Sequence, residues 1–475
     1  MDTIWRRQKA GAPCIQTSCK RSSGVQTKSE ALTKSEALTK TDRKLIGTLC
    51  LLIIFGNINL TMFNLAIPAI SSTFSLSSSQ ASWVMVGYSI VMAIGAGAYG
   101  KLSELFSFRR LYAIGLLLFA AGSFLGFFTL SFAQVIAARL IQAAGAASIS
   151  PLSYGLTATF FSPNIRGRVL GTLSATIAFA SGFGPVFGGF VEQYAGWHAL
   201  FLISGACILV LPLVLRTIPD TGYRRGSIDI PGMVLFSAGM AFLMIGITTD
   251  LFLGFAGLAA LGGFWLHIKR AARPFLSPDL LKNARYRRTL WIALITFLCN
   301  TGLTFILPIL MKSAFHMPTG SIGLLMIPGA VAAALLGSAI GRWSDRYGSL
   351  RVLLVSQIFV ITGFVLLSFF TRGRPIGIAF LTMIPLIGFN GMLTASGKFI
   401  SLTLRQSQFG MGMGVFTLAY LLGGAFGPAL VGRFLDFKVS FEAIYLIFAA
   451  IGALSFLLAL LLRKTCLAQN KVNAG

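Results

Sequence analysis

The sequence predicts an all-α membrane protein of fourteen transmembrane helices, arranged as two six-helix halves with two extra central helices. Composition, the charge of the connecting loops and an internal repeat predict it. Of 475 residues, 55% are hydrophobic and only 11% charged, with 41 Phe. A water-soluble domain cannot hide that much apolar surface, so the solvent is lipid. A helix needs about 20 apolar residues to cross a hydrocarbon core of about 30 Å. Such segments fall at 45–70, 81–99, 111–132, 135–160, 167–194, 199–215, 230–249, 251–268, 290–311, 322–340, 350–371, 376–403, 410–435 and 443–462. Several exceed the bare spanning length, which tilt accommodates.

The formal charge of +26 would suggest a nucleic-acid partner in a soluble chain, but here the bases lie in short connections between apolar runs. With the N-terminus inside, 32 of the 39 Lys and Arg fall on the cytoplasmic side. Five fall outside (Lys312, Arg372, Arg374, Arg433 and Lys438), and Arg139 and Lys398 lie within helices. An error in the helix count would invert every later loop and spoil this bias, which favours fourteen crossings with both termini cytoplasmic.

The halves repeat. The connection Gly100-Lys-Leu-Ser-Glu104-Leu-Phe-Ser-Phe-Arg109-Arg110 is matched by Gly341-Arg-Trp-Ser-Asp345-Arg346-Tyr-Gly348-Ser-Leu-Arg351. Gly100 to Gly341, Glu104 to Asp345 and Arg110 to Arg351 are each separated by 241 residues. Gly184-Pro185 and Gly189 recur as Gly427-Pro428 and Gly432 at an offset of 243, as do Gly167 and Gly171 in Gly410 and Gly414. Concordant offsets at separate places point to duplication. The chain then divides into a tail (1–44), a six-helix half (45–228), two extra helices with a basic loop (229–289), a second six-helix half (290–462) and a short tail (463–475).

The N-terminal tail is polar and basic, contains the tandem Thr27–Leu32 and Thr33–Leu38 duplication, and lacks the apolar stretch of a signal peptide. We read it as a disordered cytoplasmic extension. The six cysteines match no zinc spacing and read as free thiols, and no metal or cofactor site is legible. No nucleotide loop or nucleophile with its base is present, so an enzyme is disfavoured.

Parallel repeats about an axis along the membrane normal, rocking around a site near the midplane, are one established carrier arrangement. Gly100 to Arg110 resembles the signature loop of the major facilitator superfamily. Arg139-Leu-Ile-Gln142-Ala-Ala-Gly145 resembles its fourth-helix motif, and Gly182-Phe-Gly184-Pro185-Val-Phe-Gly188-Gly189 the fifth-helix motif associated with antiporters. The helix count and Tyr99-Gly-Lys-Leu-Ser103 are similar to the fourteen-helix drug:proton antiporter branch, closest to the tetracycline exporters of Gram-positive bacteria. The resemblance spans about 45 to 462. It implies a plasma-membrane exporter of an amphipathic drug, with protons and the bilayer as partners, and a monomer.

In the signature loops, Gly100, Glu104, Arg109, Arg110 and their counterparts Gly341, Asp345, Arg346, Gly348 and Arg351 can form a charge-assisted conformational latch, or the bases can merely set topology. Ser107 stands where the family usually has Gly. Arg139, a costly cation in a helix, is a candidate for the transport pathway, or an interfacial residue reaching water; Gln142 can share its face. The resemblance places Arg139 in a proton relay. Gly182, Gly184, Pro185, Gly188 and Gly189, with Gly427, Pro428 and Gly432, permit close helix approach. Asn57, Asn59, Asn64, Asn300, Asn390, Ser396 and Lys398 are polar residues in apolar segments that either face a central cavity or join helices.

The sequence also departs from its apparent relatives. None of the thirteen acids sits mid-helix, and the positions of the tetracycline exporters' membrane carboxylates align with Leu60, Ser181 and Gly424. Proton coupling therefore does not follow from the fold. Glu104, Glu192, Asp250 and Asp436 stay open as proton sites. Three functions stay open too: an antiporter exporting amphipathic drugs, tetracycline-like compounds favoured; a facilitated or differently coupled carrier of a small metabolite or anion; and a transporter-like sensor that moves nothing. The topology has a direct test. In a background lacking the native thiols, cysteines at Ser78 and Phe132 should react with an impermeant thiol reagent from outside, and one at Arg224 only from inside. Outside labelling at 224 would refute the topology.

Overall fold

The computed structural model describes residues 39–472 apart from 104, 162, 221–228, 272, 273, 275, 277 and 405, and at some helical positions, Asp345 among them, the backbone alone. The tandem repeat of the tail and Glu104 thus lie outside the described residues. Among those described there are helices and no strands. In chain order they are α1 Lys40–Phe74, α2 Ser78–Leu102, α3 Phe108–Phe127, α4 Phe132–Ala146, α5 Ile149–Phe160, α6 Pro163–Ala195, α7 Trp197–Gly205 and α8 Leu211–Thr217. There follow α9 Ile230–Thr248, α10 Leu251–Arg270, α11 Pro278–Lys282, α12 Ala284–Phe315, α13 Thr319–Tyr347, α14 Ser349–Phe370, α15 Pro375–Thr403, α16 Gln406–Asp436 and α17 Phe441–Val472. The fourth crossing bends between α4 and α5, and the sixth passes from α7 to α8 through a 3₁₀ turn at Ala206–Val210.

Thirteen of these crossings are long and apolar enough to span a membrane. The remaining expected segment, 322–340, falls in α13, whose described apolar stretch is Thr319–Gly329. The sequence carries the start signals for several helices. Thr39, Ser77 and Ser131 each form a capping box with Asp42, Gln80 and Gln134 three residues on, satisfying backbone N–H groups that have no intrahelical partner. Ser107 caps α3 through Arg110 N at 3.4 Å with a φ of −66°. A serine therefore serves there. Its later counterpart Gly348 has a φ of +88°, which glycine adopts without penalty.

The repeat is present in the backbone itself. Ser75 and His316, 241 residues apart, both end their helices in the left-handed conformation at φ 51°. The end of the bundle holding Lys40, Leu102 and Phe108 is called here the tail face; the end where Phe74 meets Ser78 is the far face. Toward the far face one apolar core runs through both halves, from Met62, Phe63 and Ile70 to Leu303, Phe305 and Phe448. Toward the tail face the core is divided. One part holds Leu49, Tyr112 and Leu152 with Leu418 to Ala429 of α16, and the other Tyr286, Leu353 and Phe399.

The extra helices α9 and α10 form a hairpin whose backbones approach at Gly257, where an added Cβ would stand 2.5 Å from Leu243 N. At its tail-face end Asp229 caps α9 through Gly232 N (2.9 Å) and meets His267 Nε2 of α10 at 2.7 Å. At its far-face end Thr248 accepts hydrogen bonds from Ser79 Oγ (3.1 Å) and Trp83 Nε1 (3.0 Å) on α2. Thr248 O also accepts from Arg433 Nη1 of α16 at 3.4 Å, so the hairpin docks on both halves without entering either six-helix set.

Candidate functional site

Arg139 is completely buried. Its Nη1 donates to Asn59 Oδ1 and to Gln142 Oε1, both at 2.9 Å, and its Nε to Val84 O at 3.4 Å. Its guanidinium carbon lies 4.1 Å from the centre of the Phe63 ring and 3.9 Å from that of Tyr88. The two amides pass the network on. Asn59 Nδ2 donates to Ser204 Oγ and Gln142 Nε2 to Ser123 Oγ, each at 2.7 Å. Five of the six crossings of the first half are thus tied to one cation. Among the described residues no carboxylate joins it; the charge is held by amide dipoles and ring faces, where a desolvated cation–π contact is worth about 2 kcal/mol. Nη2 and the Tyr88 hydroxyl are buried without a partner.

The Arg139–Gln142 pairing is the one expected from their spacing. Asn59, for which the sequence left open a cavity-facing or a helix-joining place, is buried and joins helices through Arg139 and Ser204. Asn64 is buried as well. Asn57 and Asn390 are half-buried and bond their own helices, through Ile53 O (3.0 Å) and Leu386 O (2.9 Å). Asn300 Oδ1 and Ser396 Oγ are buried without a partner. Lys398 stands apart from these, its Nζ donating to Ser344 O at 2.8 Å in the last turn of α13, where helix carbonyls attract a cation. It belongs spatially with the second signature loop. Sequence reading missed a neutral network in the second half, in which Gln357 of α14 meets Thr296 of α12 at 3.1–3.2 Å and Thr296 meets Ser455 of α17 at 3.2 Å. The signal available was Gln357, a lone amide in segment 350–371.

Of the latch, Arg109 Nε donates to Ile218 O at 2.7 Å, tying the first signature loop to the end of α8. Arg110 and Arg351 are exposed, Arg346 lies over its neighbour Tyr347 at 5.5 Å, and the Cβ positions of Gly100 and Gly341 are open. Glu104 and the Asp345 side chain lie outside the described residues.

The glycine motifs lie at helix contacts. A Cβ at Gly184 would strike Thr61 Oγ1 of α1; one at Gly188 would stand 2.6 Å from Met62 O, and one at Gly189 2.6 Å from Thr319 O of α13. Conversely, a Cβ at Gly323 of α13 would stand 2.8 Å from Pro185 O. Gly182 is half-buried on the same helix. In the second half, a Cβ at Gly427, which is followed by the buried Pro428, would strike Leu298 O of α12, and one at Gly432 would stand 2.8 Å from Ser78 O of α2. So α6 of the first half packs on α13 of the second, and α16 of the second on α2 of the first.

Both contacts end at the far face in a matching clasp. Asp436 Oδ1 accepts from Ser78 N (2.8 Å), and its Oδ2 from Ser79 N and Ser77 Oγ (both 3.1 Å), at the start of α2. Gln193 Oε1 accepts from Gly320 N (2.8 Å) at the start of α13. Gln193 and Asp436 are 243 residues apart, and Ser79 and Gly320 are 241 apart. A carboxylate on free helix N–H groups is favoured by hydrogen bonding and by the helix dipole. Replacing Asp436 by Ala removes bonds worth about 1–3 kcal/mol. A cysteine at Thr319, buried against Gly189 in the other contact, should then react with an impermeant thiol reagent at least about fivefold faster. Unchanged labelling would show that the clasp does not hold the halves.

The sequence profile of the Major Facilitator Superfamily matches residues 49–265 and 289–473. Riboflavin transporter RibZ of Clostridioides difficile (strain 630) is 23% identical over 408 residues, covering 83% of this chain and 89% of that protein. Methylenomycin A resistance protein of Bacillus subtilis (strain 168) is 28% identical over 335 residues, 66% of this chain and 71% of that one. Among solved structures, the human organic anion transporter MFSD10 (TETRAN) covers 88% of this chain and 99% of its own, with a TM-score of 0.64 at 17% identity, a likeness of fold. The duplicated six-helix halves, their matched helix contacts and the profile match across both place the chain in the Major Facilitator Superfamily.

Proposed function

We propose that the protein exports an amphipathic drug across the plasma membrane by alternating access, with the tail face and both termini cytoplasmic and inward proton flow as the drive. As a member of its family the chain is a multi-pass membrane carrier of small molecules, not an enzyme. The observation that carries the reading is the apolar core: at the far face one cluster joins both halves, while toward the tail face it splits in two, and the second half's cluster of Tyr286, Leu353 and Phe399 stands apart from the one that joins the first half to α16. That is the form of a carrier closed on one side, and the duplicated clasp supplies the two-state element that rocking requires. The resistance protein among its relatives supports a drug as cargo, and tetracycline-like compounds are the favoured class from the signature motifs. A metabolite carrier is the second reading, favoured by the relative that is a riboflavin transporter.

Coupling is assigned here to Lys398. Arg139 stays charged under ordinary conditions and cannot readily carry the proton; its role is to hold the first half and to bias nearby groups. Lys398, an amine that can exchange a proton where a guanidinium cannot, sits where the second signature loop ends α13 and so is placed to act on the latch. A susceptibility panel on a pump-deleted host, with and without the gene, identifies the cargo. In proteoliposomes with an imposed pH gradient, Lys398→Arg should cut gradient-driven uptake of that cargo by about tenfold while changing its binding little. Full uptake by this variant would exclude Lys398 as proton carrier. Absence of any flux in the unmodified protein would overturn the export reading itself.

A further inference from the structure

Three aromatic side chains of the second half meet at mid-bundle. Phe297 of α12 stands 5.1 Å from Phe389 of α15 and 4.9 Å from Tyr420 of α16, ring centre to ring centre, edge-on to the tyrosine. Phe389 is the middle residue of the 29-residue α15, Tyr420 is one short of the middle of the 31-residue α16, and Phe297 lies near the middle of the 32-residue α12. The three therefore share one depth. A Cβ at Gly424 would come within 2.7 Å of the Phe297 ring, so that glycine makes the space the ring occupies.

These rings are only half-buried, unlike Phe416 beside them, which is sealed in the core. They also lie at the boundary between the halves. Phe297 and Tyr420 pack against the core that includes the first half, and Phe389 and Tyr420 against the core of the second. Polar atoms without partners lie on the same helices: Asn300 Oδ1 one turn from Phe297 on α12, and Ser396 Oγ two turns from Phe389 on α15. The central turns of α1, α12, α15 and α16 carry amides and hydroxyls but no Asp, Glu, Lys or Arg. Lys398, the nearest cation on α15, is engaged by Ser344 O.

We infer that Phe297, Phe389 and Tyr420 form a stacking site for a planar, uncharged fused-ring molecule with a polar edge. Ring faces hold the flat system through dispersion and quadrupole contacts, and the neighbouring amides and hydroxyls meet its edge. With no fixed charge on these central turns, and the Arg139 guanidinium sealed inside the first half by its own partners, an anionic ring would be desolvated without compensation and is disfavoured. The inference rests on the reading of the chain as a transporter with its cargo site between the halves, and it adds the cargo's chemistry and the residues that recognise it.

The test is equilibrium binding of riboflavin, an uncharged planar probe, to the purified full chain in lipid nanodiscs, followed by quenching of flavin emission. Saturable binding is expected, weakened about tenfold or more by Phe389→Ala and by Tyr420→Ala, the usual scale for losing one stacking ring. Tyr420→Phe and Phe389→Tyr, which keep the rings, should bind within about threefold of the unmodified chain. Phe389→Leu, which keeps apolar volume but no ring, serves if an alanine variant fails to fold, and should also weaken binding. Fluorescein, planar but anionic, should not compete. No saturable binding, binding indifferent to loss of the rings, or equal competition by fluorescein would each overturn the inference. Export of a compound from the susceptibility panel by a protein that binds no riboflavin would overturn this site and leave the export reading standing. Ring-dependent binding by a protein that exports nothing would support the site and remove the export reading.

Discussion

The close approach of backbones between the halves is the constraint on which the rest of the bundle depends. In lipid the hydrophobic effect does not drive one helix onto another, so association falls to packing and to small residues that let chains come near. Gly189 against Thr319 and Gly432 against Ser78 are the same contact made twice, once by each half. Any side chain at either position would displace backbone, which cannot yield as a flexible side chain does. The clasps of Gln193 and Asp436 then satisfy helix N–H groups that packing alone would leave without partners. One contact ends in a neutral amide and the other in a carboxylate. The clasp on α2 is accordingly the stronger of the two, since charge-assisted hydrogen bonds exceed neutral ones.

Within the first half the organising group is Arg139. A buried cation with no counter-ion is costly in a bilayer, and the structure meets that cost with two ring faces, two amides and a backbone carbonyl. The second half answers with the neutral set of Thr296, Gln357 and Ser455 on the corresponding crossings. The two halves thus share a fold without sharing its polar interior. One is cross-linked around a fixed charge, and the other offers half-exposed rings and amides at mid-depth.

Much of the fold was legible because its signals are local or periodic. Apolar run length and the 241-residue offset each survive in the structure, down to the shared left-handed ends at Ser75 and His316. The Arg139–Gln142 pair was legible from its spacing along one helix. What was not legible depends on contacts between distant segments. Nothing in the sequence says that Asn59 turns toward Arg139 while Asn57, two residues earlier, bonds its own helix. Nor does sequence place Lys398 on Ser344 O. The clasp was hidden because its equivalent residues are a glutamine and an aspartate. The Phe297 cluster was hidden because a stacking phenylalanine and a lipid-facing one look alike among 41.

Alternating access requires opposed movement of the two faces. Spin labels at Tyr194 and Phe437, exposed and 243 residues apart, report the far face; labels at Arg110 and Arg351, exposed and 241 apart, report the tail face. Double electron–electron resonance on the protein in nanodiscs, with and without transported cargo, measures both separations. The account predicts that the far-face distance lengthens while the tail-face distance shortens. Distances that stay fixed, or that change together in the same direction, would contradict it.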